Sequence, residues 1–217
     1  MSKCSAAACV VLLACVGAQV GLAQAGPQPR ALRIGPVANV SFATFTGSDV
    51  TEASARTVFS VGAAATVDLG SSLFFQPQAL YSMKGANATI GGDAAVYKLS
   101  YAEFPLLLGY RVPLGGNGLR ANLVAGPTVG FLLRCRGHLA GAVSPPELDC
   151  NDNDEGVRTK STEIGVTFGG GLEIPVSGGM LALSARYGLG LTDIASVRNP
   201  RNAGFSVGLG WSFSMAR

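Results

Sequence analysis

The chain has 217 residues, 48% hydrophobic and only 13% charged, about half the charged fraction of roughly 25% found in soluble domains. That composition excludes a disordered chain and an ordinary soluble surface. Sixteen Lys and Arg against thirteen Asp and Glu give a net charge of +3, spread without a basic block, which excludes nucleic acid as a partner. His138 is the single histidine, so multi-histidine metal sites and histidine-rich acid–base chemistry are disfavoured, and no metal or cofactor is expected. Glycine is abundant, 30 residues, without the three-residue period of collagen. The length suits one domain.

The first segment in the chain reads as a targeting signal. Lys3 supplies a positive start, Ala6 to Leu22 form an apolar stretch interrupted by Gly17 and Gln19, and Ala23-Gln24-Ala25 is an A-x-A cleavage pattern. Residues 1–25 are therefore expected to be a secretory signal peptide and 26–217 the mature domain. The apolar stretch is short for an uncleaved membrane helix, and lipoprotein processing at Cys15 would leave an unusually short signal. Cys4, Cys9 and Cys15 leave with the signal, so the mature chain keeps Cys135 and Cys150. Export out of the reducing cytosol makes that pair a candidate disulfide.

No mature segment has about 18 uninterrupted apolar residues, which excludes a helical span. Alternation with period two takes its place. Ile34, Ala38, Val40 and Phe42 alternate with Arg33, Gly35, Asn39 and Ser41; Phe59, Val61, Ala63, Ala65 and Val67 alternate with Ser60, Gly62, Thr66 and Asp68. Phe75, Pro77, Ala79 and Tyr81 then face away from Gln76, Gln78, Ser82 and Lys84. A fourth segment, Val96 to Val112, is apolar on both registers around Phe104 to Leu108, so its facing stays open. The fifth sets Leu123, Ala125, Val129 and Phe131 against Arg120, Asn122, Gly126 and Thr128. The sixth sets Ile164, Val166, Phe168 and Leu172 against Glu163, Gly165, Thr167 and Glu173. Leu181, Leu183 and Tyr187 oppose Ser184, Arg186 and Gly188 in the seventh, and Phe205, Val207, Leu209, Trp211 and Phe213 oppose glycines and serines in the last.

Eight segments of roughly the 9 to 11 residues that cross a bilayer at a tilt close a barrel with an even strand number. A soluble barrel would carry Lys and Glu outside and large apolar groups inside. Here the face opposite the apolar one is mostly Gly, Ser and Thr with a few charges, which suits the narrow interior of eight strands, and the apolar face is satisfied by lipid. The fold expected is all-β, an eight-stranded antiparallel up-and-down transmembrane β-barrel. Short turns near Asp68 to Ser72, Pro113 to Gly118 and Pro175 to Gly179 alternate with longer loops, about Thr44 to Arg56, Gly85 to Ala95, Arg134 to Lys160 and Asp193 to Asn202. In outer-membrane barrels short turns are periplasmic and long loops external, so both termini are expected in the periplasm of a Gram-negative-type bacterium.

Several strings resemble the outer-membrane β-barrel domain family often labelled PorT-like, akin in architecture to the small OmpA and OmpX barrels. They are FFQPQALYSMKGA at Phe74 to Ala86, YAEFPLLLGYRV at Tyr101 to Val112, LVAGPTVGFLL at Leu123 to Leu133, GGGLEI at Gly169 to Ile174 and LSARYGLGLTDI at Leu183 to Ile194. The resemblance spans the mature chain and implies fold and location, with outer-membrane lipid, lipopolysaccharide and the barrel-assembly machinery as partners. It implies no chemistry. One departure is the end of the chain, where Phe213 is followed by Ser214-Met215-Ala216-Arg217 instead of the terminal aromatic such chains commonly show.

The charges on the non-lipid face, Arg33, Asp68, Lys84, Arg120, Glu163, Glu173 and Arg186, are expected to form an internal network, because buried charges need partners. Glu103, two residues before Pro105, reads as an inward structural carboxylate near a bulge, and no residue is assigned a catalytic role. His138, with Ser144, Glu147 and Asp149 nearby, is weak evidence for a hydrolase. The acidic run Asp149 to Glu155 lacks the spacing of an EF-hand. The function expected is non-enzymatic, structural or carried by surface loops that interact with an unidentified extracellular ligand. A narrow porin-like passive channel and a lipid-modifying enzyme are the alternatives.

Overall fold

Backbone N–H and C=O groups left unpaired in hydrocarbon cost several kcal/mol each, so a sheet that crosses a bilayer has to close on itself. A computed structural model describes residues 32–46, 54–85, 87–90, 93–139, 148–149, 160–194 and 201–215. The proposed signal peptide and its cleavage site lie outside them. The described strands are β1 (Leu32–Thr46), β2 (Arg56–Asp68), β3 (Leu73–Lys84), β4 (Asn87–Ile90), β5 (Asp93–Pro113), β6 (Arg120–Leu139), β7 (Leu148–Asp149), β8 (Thr162–Val176), β9 (Gly179–Gly190) and β10 (Arg201–Met215). Omitting the short β4 and β7, each strand pairs antiparallel with the next, and β1 pairs with β10, closing an eight-stranded up-and-down barrel. No described helix is long and apolar enough to cross a membrane.

Alternation carries straight into facing. Val40 stands between Phe59 of β2 and Val207 of β10, all three exposed on the outer wall. One residue earlier, Asn39 lies between Ser60 and Gly208 inside, and its Nδ2 donates to Ser60 Oγ at 2.9 Å. A Cβ at Gly208 would overlap the Asn39 carboxamide oxygen, so glycine there is what lets a polar side chain turn inward. The fourth segment resolves in favour of Leu99, Tyr101, Glu103, Leu107 and Arg111 inward, and Phe104, Leu106, Leu108 and Tyr110 outward.

Three short connections gather at one end. Leu69 N donates to Leu73 O at 2.9 Å, Leu114 N donates to Leu119 O at 2.8 Å, and β8 reverses into β9 through Ser177-Gly178. Gly115, Gly118 and Gly178 have φ of 77°, 73° and 83°, a conformation that glycine adopts without steric cost. Ladder pairing falters at interior prolines, which lack a donor. It skips from Pro77↔Leu106 to Leu80↔Glu103, across Pro105, and from Pro105↔Thr128 to Leu108↔Ala125, across Pro127.

The opposite end departs from the sequence reading. Gly85 to Ala95 is not a loop throughout: β4 continues β3 beyond Gly85 and pairs with the start of β5, Asn87 with Val96 and Ile90 with Asp93. Likewise Arg134 to Leu139 prolong β6, where Leu148 and Asp149 pair with Gly137 and Arg136. Glycine-rich and charged composition reads as loop, whereas paired strands raised above the bilayer tolerate both. At 21 and 20 residues, β5 and β6 are about twice the crossing length of 9 to 11.

The register makes a direct prediction. Val207→Arg, mid-strand on the lipid face, should cost about 2 to 4 kcal/mol in urea unfolding from lipid vesicles. Ser41→Asn, on the lumenal face of the adjacent β1, should cost less than about 1 kcal/mol. Equal costs would contradict the assigned facing.

Candidate functional site in the charged lumen

An eight-stranded interior is just wide enough for side chains to meet across it. At the short-turn end, the strand termini bring together Arg33 of β1, Asp68 of β2, Arg111 of β5 and Glu173 of β8. Arg33 Nη2 lies 3.1 Å from Asp68 Oδ1, and Arg111 Nη1 lies 2.5 Å from the same oxygen. Arg111 Nε donates to Glu173 Oε1 at 2.8 Å, and Arg33 Nη1 stands 3.6 Å from Glu173 Oε2. The Arg111 guanidinium also lies 3.9 Å from the Phe74 ring centroid, a cation–π contact strengthened by desolvation. Phe74, Leu107 and Val124 form a buried apolar cluster there. Half-buried Arg120 is the register partner of Glu173.

Arg186 spans the waist from β9 to β3. Its Nη1 donates to Gln78 Oε1 at 3.0 Å and its Nη2 to Gln76 Oε1 at 3.2 Å. Gln76 Nε2 in turn donates to Thr66 Oγ1 at 3.1 Å, and Thr128 and Thr167 share a hydroxyl hydrogen bond of 2.9 Å.

At the long-loop end, Lys84 of β3 is held between two carboxylates, 2.6 Å from Glu103 Oε1 and 3.1 Å from Glu163 Oε2. Asn202 Nδ2 also donates to Glu163 Oε2 at 2.8 Å, and the Lys84 ammonium lies 5.1 Å from the Tyr101 ring centroid. Buried Leu99, Tyr101, Cys135 and Ile194, with Phe45 and Leu132 packed against them, cover this cluster. The register of β5 against β6 shifts at Ser100/Tyr101.

Side chains that stand far apart in sequence thus meet as three braces at three heights, two made of ion pairs and the middle one of Arg186 with two neutral glutamines. Arg111 and the role of Glu103 in holding Lys84 are absent from the sequence reading, because Phe104 to Leu108 look apolar on both faces. The signal was present: Glu103 and Arg111 are eight residues apart, hence on the same side of one strand. Alternation puts Gln76 and Gln78, the partners of Arg186, on the inward face but carries no sign of what they bind. His138 pairs through its backbone with Val96, while its side chain, Ser144, Glu147, Cys150 and the run from Asn151 to Glu155 lie outside the described residues. Among the described residues no three His, Cys, Asp or Glu side chains converge as metal ligands.

A closed barrel, apolar outside and braced by ion pairs inside, defines a small membrane-spanning β-barrel protein. Residues 22–196 match the family described as outer membrane protein beta-barrel domain, and the chain belongs to that family. No curated protein matches the chain. Among solved structures it is similar to the Neisserial surface protein A, at 15% identity and a TM-score of 0.49 over 83% of this chain and 97% of that one. It is also similar to Ail, the attachment invasion locus protein of Yersinia pestis, solved with the heparin analogue sucrose octasulfate. That match has 8% identity and a TM-score of 0.45 over 84% and 99%. The outer membrane enzyme PagL matches at 14% identity and a TM-score of 0.35 over 79% and 97%. Family membership locates the protein in the outer membrane.

Lys84 offers a test of the network. Lys84→Met leaves Glu103 and Glu163 facing each other without their shared cation and should cost about 3 to 5 kcal/mol in lipid-vesicle unfolding. Adding Glu163→Gln should recover part of that loss. No recovery would mean that the three groups do not act as one charge cluster.

Proposed function

We infer that the protein is a non-enzymatic outer-membrane barrel whose function is structural or resides in its surface loops. The observation that carries this reading is the packing of the lumen. The Phe74/Leu107/Val124 cluster lies at one end and the Leu99/Tyr101/Cys135/Ile194 cluster at the other, with the charged braces between them. The lumenal carboxylates Asp68, Glu103, Glu163 and Glu173 are all engaged by cations, which supports structure and opposes conduction. The long-loop end is then the part of the chain that can vary and bind. In this reading that end faces outward, the termini are periplasmic, and the exposed Arg134, together with Arg136, Arg158 and Lys160, meets lipopolysaccharide phosphates.

Within the same reading Cys135 and Cys150 form a disulfide that secures the largest loop. What supports it is the pairing of Arg136 with Asp149, the chain neighbours of the two cysteines. Closing a loop of this length removes about 3 kcal/mol of unfolded-chain entropy in the chain-entropy model.

Protein refolded in planar bilayers should give no conductance steps, and its expression should leave lipid A acylation unchanged. Reduction should leave the folded band on gels intact while exposing the segment between the cysteines to protease. Reproducible single-channel steps would favour the passive channel instead. An acylation change that depends on His138 would favour the lipid-modifying enzyme.

A further inference from the structure

Arg186 differs from the other braces. Arg33 and Arg111 meet Asp68 and Glu173, and Lys84 meets Glu103 and Glu163. Among the described residues no carboxylate reaches Arg186. Its hydrogen-bond acceptors are two neutral amide oxygens, and its buried Nε, like Arg33 Nε and Arg111 Nη2, has no partner. A guanidinium cannot shed its charge in a protein, so the cost of burying it falls on whatever anion can approach.

The surroundings admit one. Arg186 lines both a cavity of about 120 Å³ and a second of about 50 Å³. The larger is walled by small hydroxyl and amide side chains, among them Asn39, Ser41, Ser60 and Thr128. Because Asn39 donates to Ser60 Oγ, the Ser60 O–H is itself available as a donor. Glu103 and Glu163 line the same cavity, and Lys84 offsets one of their two charges. That end therefore keeps a residual negative charge that repels a dianion.

We propose that the lumen binds a small monovalent anion, of the size of chloride, at the Arg186 guanidinium in the larger cavity. In that cavity Arg186 is the cation without a carboxylate in reach, which sets where the ligand sits, and the residual negative charge at the Lys84 end limits the ligand to a single charge. The cavity has ample room for a halide with several waters, since one water needs only about 10 to 15 Å³ of such volume. Rings of Arg and Lys select anions in pores by the same electrostatics. Here a single Arg is anchored across the barrel and holds its ligand instead of passing it.

The whole chain, refolded in lipid vesicles, is unfolded with urea in chloride and in gluconate, a much bulkier monovalent anion, at equal ionic strength. A ligand bound by the folded state alone raises the midpoint in a saturating manner, so chloride should raise it above gluconate. Arg186→Gln should abolish the difference. Crystals of the unaltered chain grown in bromide should show anomalous density within hydrogen-bond distance of the guanidinium, which reads the site even if Arg186→Gln fails to fold. Equal midpoints in the two salts, a chloride effect that persists in Arg186→Gln, or a bromide map without density at Arg186 would overturn the proposal.

Discussion

Everything in this barrel depends on charge that has to be neutralised across a narrow, closed interior. The hydrocarbon outside forces closure, because it offers no partner to a backbone amide. Closure at eight strands then leaves so little room that a lumenal Arg or Lys reaches a carboxylate two or three strands away. Arg111 on β5 meets Glu173 on β8, and Lys84 on β3 meets Glu163 on β8. Burial makes such pairs costly to break singly, so they bind together strands that the backbone ladder does not join.

The outer wall follows a simpler rule. Phe, Leu, Val and Tyr occupy every second position because lipid accepts them, and small residues alternate with them because lumenal space is scarce. Gly208 beside Asn39 illustrates the exchange: the missing side chain on β10 is the room that the carboxamide on β1 occupies. The interior prolines interrupt the ladder locally, yet the surrounding strands keep their register on both sides of each interruption.

The fold was legible because period-two alternation is a one-dimensional signal with a three-dimensional consequence. Where the two faces differ sharply, as in Phe59 to Val67, facing can be read residue by residue. In Phe104 to Leu108 it cannot, since Leu107 faces inward between the outward Leu106 and Leu108 and the pattern carries no contrast. The lumenal positions of Arg33, Lys84, Glu163 and Glu173 can be deduced from alternation. Their partners cannot, because which charges meet depends on strand stagger around the barrel, a property of the whole sheet. The extensions formed by β4 with β5, and by β6 with β7, escaped for another reason: above the bilayer, pairing no longer requires an apolar face.

The central claim is that lumenal ion pairs act across the barrel as single units. A double-mutant cycle on Arg111→Met and Glu173→Gln, measured by urea unfolding from lipid vesicles, tests it most directly. The account predicts that the double mutant is less destabilised than the sum of the single mutants by at least about 1.5 kcal/mol. Losses that add to within about 0.5 kcal/mol, as for independent sites, would contradict it.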